Sequence, residues 1–104
     1  MIPDVTDRDF ARVVEQAFVP VLVEFWQPGC RHCVALLSQL EQLQKEVGQA
    51  LTIVKMNVQE NFQIPAELEV SSLPALALFE KGGFVRFIGG IGKKDEIRQQ
   101  LPLG

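Results

Sequence analysis

The only two cysteines and the only histidine of this 104-residue chain all fall within Cys30-Arg31-His32-Cys33. Thiols with two residues between them meet across one helical turn, which suits two chemistries, exchange with a disulfide and metal ligation. In exchange, one thiolate attacks a disulfide sulfur and its neighbour then resolves the mixed disulfide. A mononuclear zinc site takes four ligands, so two Cys and one His would need a second copy to complete it. Covalent haem attachment requires His directly after the second cysteine, where Val34 stands. A purely structural bridge would close too short a loop to constrain the unfolded chain much. Two inert core thiols would suit Cys33 better than Cys30.

The elements around the pair decide which thiol reacts. Val19-Pro20-Val21-Leu22-Val23-Glu24-Phe25-Trp26 is apolar on both faces except at Glu24, the pattern of a central strand covered by helices on either side. Beyond Gln27-Pro28-Gly29, the residues Cys33, Leu36, Leu37, Leu40, Leu43 and Val47 recur at helical spacing until Gly48, a C-terminal glycine. The first cysteine therefore lies at a helix N-terminus, where free N–H groups and the helix dipole favour an anion. Cys30 is the expected nucleophile, and Cys33, on the apolar face, the expected resolving thiol.

Phe10, Val13, Val14, Ala17 and Phe18 predict a first amphipathic helix, with Thr6 or Asp7 as its N-cap. Leu51 to Val58 reads as a strand, and Asn61 to Leu68 as a short helix interrupted early by Pro65. Ala75 to Phe79 and Phe84 to Ile88 form an antiparallel hairpin across Lys81-Gly82-Gly83. Lys93 to Leu101 closes the chain as a helix, and Ile2 to Val5 offers an additional edge strand. The expected fold is α/β, one domain over 1–104, with a mixed sheet of four to five strands and helices on both faces.

Composition narrows the function. The content is 47% apolar, enough for one core, and the charge is −3 with no basic stripe to track phosphates, so nucleic acid is not an expected partner. The longest apolar run, Val19 to Val23, is too short to span a bilayer. Residues 1–9 have neither the basic start nor the apolar run of a secretory signal, and two cysteines three apart are no disulfide framework. These features predict a cytoplasmic monomer that needs no membrane, metal or bound cofactor.

Several segments together resemble the thioredoxin family over nearly the full length. They are Val21-Leu22-Val23-Glu24-Phe25-Trp26 leading into the CxxC, Lys55-Met56-Asn57-Val58, Ser72-Leu73-Pro74 before Ala75-Leu76-Ala77-Leu78-Phe79, Gly82 in the hairpin, and Gly90 before the last helix. The resemblance implies a thioredoxin-like fold and exchange of a dithiol/disulfide pair with protein disulfides, recycled by a reductase or oxidant. It also implies a cis Leu73–Pro74 bond and a substrate groove of Trp26, Gly29, Leu73, Pro74 and Gly90. It places a buried carboxylate at Glu24, where desolvation would raise its pKa and let it take a proton from Cys33. The other reading of Glu24 is a solvated acid on a partly open strand, since the family's usual residue there is the shorter aspartate. Lys55 is either its charge partner or a surface lysine.

The chain departs from the family pattern between and before the cysteines. Arg31-His32 replaces the usual Gly-Pro, and Gly29 the usual tryptophan; His before the second cysteine is what disulfide isomerases and periplasmic oxidants carry. Arg31 and a protonated His32 would stabilise the Cys30 thiolate, and with it the reduced form, at about 30 mV for each pKa unit. The expected couple is less reducing than that of a Gly-Pro thioredoxin. Two rival functions stand beside this one, an interaction module whose thiols are idle and a metal-binding CxxC protein.

Overall fold

A computed structural model describes residues 1–103. Four strands, β1 (Val21–Trp26), β2 (Thr52–Asn57), β3 (Ala75–Glu80) and β4 (Gly83–Phe87), form one sheet in the order β2-β1-β3-β4. β1 runs parallel to β2 and antiparallel to β3, and β4 is antiparallel to β3. Three α-helices accompany them, α1 (Arg31–Val47), α2 (Gln63–Glu67) and α3 (Lys94–Arg98). The mixed sheet and the hairpin follow the sequence pattern. The fifth strand does not form, because the N-terminal arm pairs with β2 only through a single parallel bridge, Asp4 to Lys55.

Strand alternation divides the core in two. Leu22, Ile53, Leu76 and Leu78 pack beneath Leu36, Leu40 and Leu43 of α1 and Ile97 of α3. Val21, Val23, Phe25, Val54, Met56 and Phe79 face the opposite way, against Phe10, Val14 and Ile64. Glu24 falls in the Leu22 set, so the strand's own period aims a carboxylate at the underside of α1.

The first helix is shorter than its apolar spacing suggests. Only Ala11–Glu15 is helical, in a π-type turn, and Phe18 is fully exposed. Thr6 and Asp9 bond reciprocally just ahead of it, each side chain accepting from the other's backbone N–H, but the N-cap of the helix is Phe10 and no side chain caps it, so the expected Thr6 or Asp7 cap does not form there. Asp7 caps a different helix altogether. Its carboxylate accepts from the N–H groups of Phe62, Gln63 and Ile64 at 2.8–2.9 Å, while its own N–H donates to Asn61 Oδ1. The next residue, Pro65, has no N–H to satisfy. It sits in the first turn of α2, where proline is tolerated, and so does not interrupt the helix. The last helix is likewise trimmed to Lys94–Arg98, with Leu101 still packed in the core.

The β3–β4 turn is fixed by sterics. Lys81 and Gly82 both have positive φ, as a two-residue hairpin turn of the primed type requires. A Cβ on Gly82 would stand 2.6 Å from the Glu15 carbonyl oxygen, so the turn packs against the first helical segment only without a side chain.

Because Asp7 supplies three charge-assisted bonds to a five-residue helix, Asp7→Ala should destabilise the protein by about 1–2 kcal/mol. Asp7→Asn should lose less, since an amide oxygen still accepts. Urea unfolding of the three proteins checks this, and equal midpoints would show the cap to be idle.

Candidate functional site

The turn from β1 into α1 places the two thiols. Gln27-Pro28-Gly29-Cys30 has the type II signature, with Pro second, Gly29 third at φ +85°, and the Cys30 N–H donating to the Gln27 carbonyl at 3.2 Å. Cys30 then takes the N-cap position of α1 in extended conformation, and its Sγ accepts from the Cys33 N–H at 3.1 Å. Cys30 and Cys33 are joined as a disulfide with a Cα–Cα separation of 5.2 Å. The two sulfurs differ in access, Cys30 being partly exposed and Cys33 buried on the core face of α1. Arg31 and His32 occupy the exposed first turn of the same helix.

Cys30 opens onto a groove of about 630 Å³, walled by Gly29, Arg31 and His32 on one side and by Val70-Ser71-Ser72-Leu73 on the other. The Leu73–Pro74 bond at the end of that second wall is cis. Pro74 lines two smaller cavities of about 280 Å³ each, one with Phe87 and Ile88 and one with His32 and Leu36, and Ile91 borders both. Gly90 sits in the loop just before Ile91 with φ +60°. The wall residues Val70 and Ser71 carry no chemical signature of their own. Their place was readable only from the turn that precedes Pro74.

Trp26 and Glu24 lie behind the disulfide instead of along the groove. With Cys33, Val34, Leu37 and Lys55 they enclose a cavity of about 80 Å³. Glu24 is 1% exposed, so the solvated reading fails, and burial pushes its carboxyl up to about 8 despite the opposing pull of the Lys55 ammonium. Glu24 Oε2 and Trp26 Nε1 are buried without a hydrogen-bond partner among the described residues. Lys55 stands opposite Glu24 in the β1–β2 register, but its ammonium pairs with Asp4 at 3.6 Å and lies 4.8 Å from the Trp26 ring centroid. This arrangement can hold a neutral acid next to the inner sulfur while a cation stands near enough to favour its ionisation.

Among the described residues, no group of three or more His, Cys, Asp or Glu side chains is placed to hold a metal, and no helix is long and apolar enough to cross a membrane.

Comparison with known proteins accounts for this combination of fold and thiol pair. Residues 1–102 match the sequence profile of the Thioredoxin family. A thioredoxin of Listeria monocytogenes is 36% identical over 101 residues, covering 97% of this chain and 96% of its own. A thioredoxin of Haemophilus influenzae is 38% identical over 81 residues, covering 78% and 76%, and one of Rickettsia prowazekii is 34% identical over 82 residues, covering 79% and 78%. With a CxxC pair bonded at the head of α1 beside a cis-proline, the chain belongs to the thioredoxin family and is a protein thiol-disulfide oxidoreductase.

Proposed function

We propose that Cys30 is the attacking thiol and Cys33 the resolving one in the reduction of protein disulfides. The observation that carries this assignment is the contrast in access, one sulfur open to a groove and the other enclosed with a carboxyl group. The Cys30 thiolate attacks one sulfur of the substrate bond, forming a mixed disulfide and releasing the other sulfur, which takes up a proton. Cys33 then loses its proton, attacks Cys30 Sγ, and expels the second substrate thiol. Two electrons pass to the substrate, and the protein is left with its internal disulfide, which a partner reductase must reduce again.

Glu24 is the proton acceptor for Cys33 in this reading. A carboxyl titrating near 8 is about one-tenth ionised at pH 7, so it can both take a proton and return it. Leu73 and Pro74 shape the groove that receives an extended substrate segment, with Gly29 and Gly90 leaving its edges open. Trp26 closes the cavity around Glu24, and Lys55 biases that carboxyl toward its charged form. The chain works as a single domain and a monomer, and its cysteine usage is that of the reducing cytoplasm.

Cys33→Ser should accumulate covalent adducts with substrate proteins through Cys30, seen as reducible bands on non-reducing gels. Adducts in Cys30→Ser and none in Cys33→Ser would reverse the roles.

The Glu24 pKa sets two further outcomes. Its folded value, near 8, lies above the ordinary 4.5, so the native state holds an extra proton between those limits. Stability therefore falls as pH rises from about 4.5 through about 8. Glu24→Gln removes this slope, and its stability relative to the parent should climb over that window and level off above it. Its turnover near neutral pH should drop while the first attack by Cys30 keeps its rate. Parallel pH profiles of stability, or unchanged turnover, would leave Glu24 without a role in proton transfer.

Replacing Arg31-His32 by Gly-Pro removes a fixed and a titratable positive charge from the turn that holds the Cys30 thiolate. The reduced form loses stabilisation, so the potential should become more negative, by about 30 mV for each unit that the thiol pKa rises. Redox equilibration of both single variants and the double variant measures this, and an unchanged or higher potential overturns it.

A further inference from the structure

The groove beside Cys30 is charged against the grain of the molecule. The chain carries 13 acidic and 10 basic residues, yet no carboxylate among the described residues lines this groove. Its fixed charge is the guanidinium of Arg31, accompanied by His32 and by the hydroxyls of Ser71 and Ser72 on the facing wall. The ion pairs among the described residues use Arg12, Lys55, Lys94 and Arg98, and Arg31 enters none of them. Its five N–H donors are therefore free of any carboxylate among the described residues. Glu69 lines the adjoining cavity, which shares Val70, Ser71 and Ser72 with this groove. A segment laid across the site meets a cation beside the attacked sulfur and an anion in the adjoining cavity.

We propose that Arg31 is a specificity-determining residue, and that the groove selects protein disulfides whose attacked half-cystine has a carboxylate next to it in sequence. This selectivity rests on the reading of Cys30 as the attacking thiol. Arg31 directly follows Cys30, so a side chain adjacent to the bonded substrate cysteine is the one within its reach. A guanidinium binds a carboxylate through two parallel hydrogen bonds, which fixes orientation as well as adding attraction. Glu69 disfavours a second acid further along the segment and favours a base there. Electrons and protons move as in the exchange already described, and only the encounter and the mixed disulfide are stabilised.

The test uses dithiol-reduced protein and two peptides of identical composition, each carrying its one cysteine as a 2-thiopyridyl disulfide, a neutral leaving group. One peptide has Asp beside the cysteine and Lys several residues away, and the other exchanges them. Equal composition cancels the pull of the protein's net charge, and both peptides meet the same thiolate, so any change in thiol pKa also cancels in their rate ratio. The Asp-adjacent peptide should react about two- to fivefold faster, the yield of one partly exposed ion pair, and the ratio should shrink as salt is added. Arg31→Gln should bring the ratio to about one, and Arg31→Glu should invert it. A parental ratio at or below one, or a ratio that survives Arg31→Gln, overturns the proposal. A neutral third peptide separates the two layers of the argument. If Cys30→Ser still releases thiopyridone from it at the parental rate, the attacking role of Cys30 falls, whereas a ratio of one with Cys30→Ser inactive removes only the selectivity.

Discussion

A four-residue turn must end a buried strand, reverse direction and bring one sulfur to the Cys33 N–H in the first turn of a long helix. Everything else at the site depends on that constraint. Pro28 presets the turn and Gly29 supplies the left-handed residue it needs, so Cys30 arrives as the N-cap of α1 and not as a member of its first turn. One position is enough to separate the sulfurs. The cap lies at the surface, while the residue three further on faces the core. The same turn fixes where β1 stops, and with it the depth at which Glu24 sits beneath the helix.

That depth explains an otherwise unfavourable arrangement. A carboxyl group with one oxygen unpartnered is costly in a core and invites replacement by an apolar residue. Here burial holds it largely protonated at neutral pH, which lowers the cost and leaves a titratable group beside the inner thiol. Lys55 moderates the effect from a position fixed by strand register, while its own charge is engaged by Asp4 of the N-terminal arm. Two strands and a segment distant in sequence thus share the control of one proton.

Much of the fold was legible in the sequence, since strand and helix periods differ and the runs were long. β1, α1, β2 and the β3–β4 hairpin fall within a residue or two of where alternation, helical spacing and turn chemistry put them. The pattern over Phe10 to Phe18 overstated the first helix, because Phe18 met no core to pack against and spacing alone does not report what lies opposite. Ile2 and Val5 were apolar for packing, and a single bridge sufficed to bury them. At the site, the cysteines announced themselves by type and spacing. The wall of Val70 and Ser71 did not, being made of ordinary residues whose importance comes from folding back across the thiols. The long reach of Asp7 to α2 was also hidden, since a cap is usually sought next to the helix it serves.

That reach bears on the order in which the protein assembles. A helix of five residues is too short to persist alone, and α2 gets the acceptors for its first N–H groups from a carboxylate more than fifty residues earlier in the chain. It cannot settle until the N-terminal arm has docked on β2, a contact that requires a long loop to close. The segment that α2 leads into, Val70 to Leu73, is the groove wall. The redox pair is therefore set by local structure, whereas the wall that faces it across the groove is completed only once contacts between distant parts of the chain have closed.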